Sequence, residues 1–440
     1  MMIYISIFLF TTLCITATDT TEQLLQEAIA CYDKQEYHAA ISLYQQALVQ
    51  SSCDIQHHFK LAYCYTALGE VDNAIAIYHL ILKYFPHCIS VIYNMGYVYK
   101  MKDDIDQAIT YYKQAISLDP EREESYFGIG MAYLVKGDFE AGWTIHERYL
   151  KRTGRNAELL RIALKDNTLT GKKILLRPEG GLGDTIQFLR YAKKLKECGA
   201  HIVAYVQKEL HPLVSRCDYI DTLLDPGSYV PLDLYDHTNF MSMPAIWYAQ
   251  YKEIPHELNY ITPDPALLAH WQTILASDQD YKIGICWGAS IHNDSSRYPV
   301  ARRSIPLTYL YQLYDEHISL YSLQRFDGEE QLHDVPAHIT IKTFGTDFDR
   351  TAGPFMDSAA IIPHLDLVIS VDTATAHLAA ALGKKVFLLL PYSTDWRWIA
   401  HRTDSPWYPT MRIFKQKKPF DWQSVIDEVC LAVQEYMEKK

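Results

Sequence analysis

Two short stretches place carboxylates, hydroxyls and small residues where they could act on an anion. Gly180-Gly181-Leu182-Gly183-Asp184 ends in a carboxylate, and Asp372-Thr373-Ala374-Thr375-Ala376-His377 opens with one and ends in an imidazole. A carboxylate at such a turn either takes a proton from a hydroxyl as general base or caps the helix that follows. Glycines allow φ > 0 and let another molecule approach the backbone. A helix starting there points unpaired N–H groups and partial positive charge outward, which suits phosphate. The same choice holds for Asp372 and His377: each serves the anion or serves the helix, as cap or core side chain.

Both stretches sit where the hydrophobic period changes. Ile174–Leu176 is a continuous apolar run, as in a strand buried on both faces, and Phe188, Leu189, Ala192 and Leu195 then fall at helical spacing. Leu365–Val371 reads as a strand and Leu378–Leu382 as a helix stopped by Gly383. Further strands are predicted over His201–Val206, from Lys282, over Ile318–Leu323, Ile339–Thr343 and Val386–Leu390. Pro263-Asp264-Pro265 marks a hinge ahead of a helix near Ala266–Ala276. Asp221–Leu234 reads as mostly loop, and Met241–Trp247 and Tyr251–Pro263 show no clear period. Val425, Val429 and Val433 form one stripe on a closing helix over Asp421–Lys440. Successive strand–loop–helix sets imply two facing α/β domains with ligands at the carboxyl ends of the strands, which puts Gly180–Asp184 and Asp372–His377 on two lips of one cleft.

Other glycine-loop readings fit less well. A dinucleotide fingerprint would need a glycine at Ile186, and the Gly-Lys-Ser/Thr ending of a phosphate loop is absent. Asp278-x-Asp280 and Asp347-x-Asp349 imitate a metal-binding pair but read as solvated loop residues. No zinc spacing occurs. Trp396, Trp398 and Trp407 serve either packing or sugar stacking.

The first third of the chain repeats every 34 residues from Thr21. Ala28, Ala62, Gly96 and Gly130 share one position; Ala40, Ala74, Ala108 and Gly142 another; Tyr44, Tyr78, Tyr112 and His146 a third. Tyr65, Tyr99 and Tyr133 align with Cys31, and Gln35, Gly69, Asp103 and Gly137 mark the turn within each unit. Small residues let two helices approach, aromatics fill the space between hairpins, and hairpins stack because one alone cannot bury its apolar face. The stripe reads mainly as core, with a groove for a peptide or partner as the functional alternative. Leu159, Leu160, Ile162 and Leu164 suggest one more helix covering the end of the stack.

The 440 residues predict two or three domains. A net charge of −12 argues against nucleic acid as a partner. Nine dispersed cysteines without a Cys-x-x-Cys pair point to reduced thiols. Met1–Ala17 is apolar, like a signal peptide or short anchor, although no Lys or Arg precedes the run and no small-x-small site follows it.

Residues 21–154 resemble the tetratricopeptide family. Gly-Gly-Leu-Gly-Asp-Thr-Ile-Gln (180–187), Gly-Ile-Cys-Trp-Gly (284–288), Arg-Arg-Ser-Ile-Pro-Leu (302–307) and Ser-Val-Asp-Thr-Ala-Thr-Ala-His-Leu-Ala (370–379) together resemble glycosyltransferase family 9, the heptosyltransferase-like group with the GT-B fold. Pro391-Tyr392, Asp395-Trp-Arg-Trp398 and Ser405-Pro-Trp-Tyr408 resemble the subgroup with repeats ahead of the transferase. The resemblance implies an α-helical tetratricopeptide solenoid followed by a GT-B fold of two facing Rossmann-like domains. The expected division is a signal or anchor at 1–18, four repeats over 21–154, a linker helix at 155–171, and transferase halves at 172–265 and 266–440.

It further implies inverting, metal-independent sugar transfer from a nucleotide-diphosphate donor, a co-substrate with no separate cofactor. The acceptor would be a glycan, lipid or protein, with the repeats recruiting it or a partner protein. Asp184 carries over as the base. Gly181, Gly183, Trp287, Asp372, Thr373, Ala374 and His377 carry over to the donor side, where Ala374 replaces the usual glycine. A family lysine has only Arg297, Arg302 or Arg303 as counterpart here, and Arg397 is a further donor-side candidate. Two other readings are a repeat scaffold with an inactive transferase domain and an epimerase-like enzyme acting on a nucleotide sugar. Nucleotide sugars suggest the cytoplasm and the amino terminus suggests export, so both cytoplasmic and membrane-associated placement stand.

Overall fold

Eight helices carry the repeat register: α1 (Asp19–Asp33), α2 (Tyr37–Gln50), α3 (Ile55–Ala67), α4 (Val71–Tyr84), α5 (Ile89–Met101), α6 (Ile105–Leu118), α7 (Glu123–Lys136) and α8 (Phe139–Arg152). The computed structural model describes residues 19–50, 55–152, 158–229, 236–290 and 303–438, so the apolar leader, Arg297 and Arg302 lie outside the described residues. The turn residues Gln35, Gly69, Asp103 and Gly137 all adopt positive φ, from 62° to 85°. This left-handed step closes each helix and favours glycine or a small polar residue. Tyr44, Tyr78 and Tyr112 are buried, as the packing reading expects. A Cβ on Gly96 or Gly128 would lie 2.8 or 2.6 Å from the Tyr112 ring. Position 128 therefore has to be small as well, although it falls outside the repeat's small-residue register.

Contacts divide the chain into two compact units. One takes the described residues up to Asp138 together with Tyr392–Ala400; the other takes those of Phe139–Ser295, Arg303–Pro391 and His401–Lys440. In the first, Tyr392 packs against the repeat core, and the Ala400 N–H donates to the Val135 carbonyl at 2.8 Å. Burial lowers the Lys100 ammonium pKa and the nearby Asp395 opposes that shift.

In the second unit follow α9 (Glu158–Lys165), β1 (Lys173–Arg177), α10 (Leu182–Phe188), α11 (Arg190–Glu197), β2 (His201–Ala204), α12 (His211–Val214), β3 (Thr222–Leu223), β4 (Asp236–Asn239) and α13 (Met243–Tyr251). Then come α14 (Pro265–Leu275), β5 (Tyr281–Cys286), α15 (Leu307–Leu310), β6 (Ile318–Ser322), β7 (Ile341–Lys342), α16 (Met356–Ile361), β8 (Leu367–Val371), α17 (Ala374–Ala381), β9 (Val386–Leu390), β10 (Met411–Lys415) and α18 (Trp422–Met437). The helix α8 packs on α13, with Phe139 5.7 Å from Tyr248 between ring centroids and Lys252 paired to Glu140 at 2.6 Å. The linker helix α9 also packs on α13 and on β4.

Two parallel sheets build this unit, ordered β3-β2-β1-β4 and β10-β9-β8-β5-β6-β7. The second is doubly wound: its order runs one way from β5 and the other way from β8, so the switch point lies between them. Both β5 and β8 are apolar and buried, as a strand covered on two faces must be. Val425, Val429 and Val433 of α18 complete that core. Among the described residues no helix is long and apolar enough to cross a membrane, and no group of three or more His, Cys, Asp or Glu is placed to hold a metal ion. The described cysteines Cys31, Cys64, Cys88, Cys198, Cys217, Cys286 and Cys430 are free thiols.

Candidate active site

The chain leaving β1 turns at Gly180, where φ is +84°, and enters α10. Asp184 Oδ2 accepts a hydrogen bond from the Gly181 N–H at 2.6 Å and would lie 2.3 Å from a Cβ on Gly180. Only glycine fits at 180, and the Asp184 carboxylate ties the first turn of the helix to its entry. Gln207, just after β2, braces the same turn: its Oε1 accepts from the Thr185 hydroxyl at 2.9 Å, and its Nε2 donates to the Gly181 carbonyl at 3.4 Å. Nothing in the spacing of Gln207 singled it out.

The other lip follows β8. Thr373 caps α17, its Oγ1 accepting from the Ala376 N–H at 3.4 Å and lying 3.0 Å from Ser370 Oγ. Asp372 is therefore not the cap. Its backbone carbonyl accepts from Arg303 Nη1 at 3.1 Å, and its Oδ1 lies 3.6 Å from His377 Nε2. His377 is 4% exposed, with Nδ1 3.0 Å from the Tyr408 hydroxyl.

The lips meet directly. A Cβ on Gly183 would lie 2.8 Å from His377 Cδ2 and 3.6 Å from the Ala374 Cα. The starts of α10 and α17 are thus brought together, each at the carboxyl end of a parallel strand. Close backbone approach is supplied by Gly183, on the opposite lip from Ala374.

A third loop joins at the switch point. Gln324, after β6, accepts through Oε1 from the Trp287 and Gly288 N–H groups at 2.9 and 2.7 Å. Through Nε2 it donates to the Gly288 and Asp327 carbonyls at 3.0 and 2.8 Å. Cys286 Sγ lies 3.7 Å from Thr373 Oγ1, and burial pushes the Cys286 thiol up. The loops after β5, β6 and β8 are thereby fixed to one another.

Several expected residues are engaged in packing. Trp287 is fully buried, its indole N–H donating to the Gly328 carbonyl at 3.1 Å, so its ring belongs to the core. Arg397 is buried within the repeat unit, where it pairs with Asp395 at 2.7 Å and lies over the Trp396 ring. Trp396, Trp398 and Trp407 are all buried, which is the packing role. Of the aspartate pairs, Asp347 is exposed, whereas Asp278, Asp280 and Asp349 are partly buried and hydrogen-bonded. Asp278 accepts from Lys342 and Tyr321, which hold its carboxyl below the usual range, and Asp280 accepts from Ser319. Burial pushes Asp349 up to about 6, beside Ser358.

With this geometry in hand, comparison with known proteins finds that residues 355–417 match the model of glycosyltransferase family 9 (heptosyltransferase), and residues 58–87 and 89–122 match tetratricopeptide repeat models. The chain carries tetratricopeptide repeats and a glycosyltransferase family 9 region. The matched transferase segment includes α16, β8, α17 and β9, and so the whole second lip. A curated relative, Protein FlbA of Caulobacter vibrioides, is 24% identical over 290 residues, which cover 61% of this chain and 47% of that protein. The chain thus matches about half the length of that relative. Among solved structures, a family 9 glycosyl transferase from Veillonella parvula aligns at 12% identity and TM-score 0.47, covering 62% of this chain and 99% of that one. ADP-heptose LPS heptosyltransferase II of E. coli aligns at 14% identity and TM-score 0.41, covering 60% and 100%.

Proposed function

We propose that the α/β unit transfers a sugar from a nucleotide-diphosphate donor to a hydroxyl of an acceptor, with inversion and without a metal. The observation that carries this reading is the meeting of two helix starts at Gly183 and His377, both at carboxyl ends of parallel strands. Asp184 takes the acceptor proton as the oxygen attacks the anomeric carbon, and the bond to the diphosphate breaks on the opposite face. The departing anion faces the first turn of α17. A helix start contributes roughly 0.3–2 kcal/mol towards an anion, less than a leaving diphosphate requires, so a guanidinium is expected beside it. Arg303, on the Asp372 carbonyl, supports that role. The repeats recruit the acceptor or a partner protein.

The test is calorimetric titration of the full chain with ADP, GDP, UDP and CDP, followed by labelled-donor turnover with product analysis. Binding of one nucleotide, with transfer of the label, supports the reading. Absence of binding to any of them would overturn it, and a product that keeps its nucleotide would favour the epimerase-like alternative.

A further inference from the structure

Between α11 and α17 lies a buried chain of polar groups that the proposed reaction does not use. At one end is Arg190, 1% exposed, which donates from Nε to the Gln187 carbonyl and from Nη1 to those of Pro255 and Trp407. From Nη2 it donates to the Tyr260 hydroxyl at 3.1 Å, and its guanidinium lies over the Tyr408 ring at 4.4 Å. The Tyr260 and Tyr408 hydroxyl oxygens are 3.5 Å apart, and the Tyr408 hydroxyl is 3.0 Å from His377 Nδ1.

The direction of this chain follows from its ends. A guanidinium only donates, so Tyr260 accepts from it and passes its own proton onward. A carbonyl oxygen has two lone pairs, so that proton can go to the Gln187 carbonyl, which also receives Arg190 Nε, or to the Tyr408 oxygen, each at 3.5 Å, and the Asp372 end decides the direction. Burial holds the Tyr408 hydroxyl well above its ordinary pKa, so it keeps a proton to give. At the far end His377 Nε2 faces Asp372 Oδ1 at 3.6 Å. A neutral ring protonated on Nδ1 would turn the Nε2 lone pair towards that carboxylate and leave the Tyr408 proton without this acceptor. Protonation on Nε2 satisfies both sides.

We propose that Tyr408, oriented by Arg190 through Tyr260, is a positioning residue that fixes His377 as the Nε2–H tautomer and so aims one N–H at Asp372 on the donor lip. Its consequence for binding rests on the donor-site reading above; the tautomer itself does not.

The experiment is histidine-selective ¹⁵N labelling of the full chain, with the His377 signals identified by their loss in His377→Gln. The wild type should show Nδ1 unprotonated and Nε2 protonated. Tyr408→Phe keeps the ring under Arg190 and should shift His377 towards mixed tautomers. Its affinity for the nucleoside diphosphate bound by the wild type should fall about 3–10-fold, about 0.7–1.4 kcal/mol. Tyr260→Phe interrupts the chain one step earlier and should move the same signals if Tyr408→Phe does not fold. A wild-type proton on Nδ1, or an unchanged His377 spectrum in a folded Tyr408→Phe, would overturn the proposal. If no nucleotide binds the wild type, the donor reading fails while the tautomer spectrum still decides this one.

Discussion

A methyl group added at position 183 would meet the imidazole of His377, 2.8 Å from its Cδ2. Two residues 194 positions apart therefore meet where the two lips touch. Gly183→Ala has to push the ring or the helix aside. The expected result is a folded protein whose nucleoside diphosphate affinity falls about tenfold, close to 1.4 kcal/mol. Titration beside circular dichroism checks it; unchanged affinity would show that the junction is not where the anion sits.

Asp184 has a structural and a proposed chemical duty, and two substitutions separate them. Asn keeps an acceptor for the Gly181 N–H, so Asp184→Asn should leave the melting temperature and nucleotide affinity near wild type. It should lower kcat by about 10²–10⁴ through loss of the base. Asp184→Ala removes the acceptor too and should cost a further ~0.5–2 kcal/mol of stability. If Asn lowers stability and turnover together, the carboxylate is a cap and nothing more.

Gln324 ties the loops after β5 and β6 together through one amide. Gln324→Leu strands the Trp287 and Gly288 N–H groups, and each buried donor left unmet costs about 1–3 kcal/mol. Denaturant unfolding should show a loss of at least ~2 kcal/mol, and nucleotide binding should weaken with it. A neutral result would mean that water replaces the amide.

Asp349 gives a pH signature. Burial raises its pKa to about 6, above the ordinary aspartate value of 3.8, so the folded chain binds this proton more tightly than the unfolded chain does. Its contribution is full below the unfolded pKa and lost as pH rises through about 6. Asp349→Asn should therefore be more stable than wild type at neutral pH, by on the order of 1–3 kcal/mol, with the advantage shrinking between pH 6 and 4. Asn also suits the positive φ of 53° at this position. Melting curves across that range check it.

What could be read from the sequence was whatever leaves a period or a punctuation mark. The turn residues Gln35, Gly69, Asp103 and Gly137 stood out by spacing, and each takes the left-handed step. The strands β1, β5, β6, β8 and β9 stood out because parallel strands covered on both faces are unbroken apolar runs. The helix α13 did not, because Met243–Trp247 is buried throughout and shows no polar face. Nor did β4, whose residues Asp-His-Thr-Asn carry no apolar signal although the strand pairs with β1. In the site, both glycine-rich or hydroxyl-rich lips were legible. Gln207, Gln324 and Arg190 were not, since a buried polar side chain is defined by partners far along the chain. The aspartates at 278 and 280 were misread for the same reason: their partners Lys342, Tyr321 and Ser319 come from other strands.

The excursion of Tyr392–Ala400 bears on how this protein could have been assembled. The chain quits the doubly wound sheet after β9, adds Trp396, Trp398 and Ile399 to the repeat unit, and returns for β10. A shortened chain starting at Phe139 would bring two indoles and an isoleucine into water without their covering, and with them a tendency to aggregate. Repeats and transferase region are thus interlaced along one polypeptide, so no single cut separates the two units.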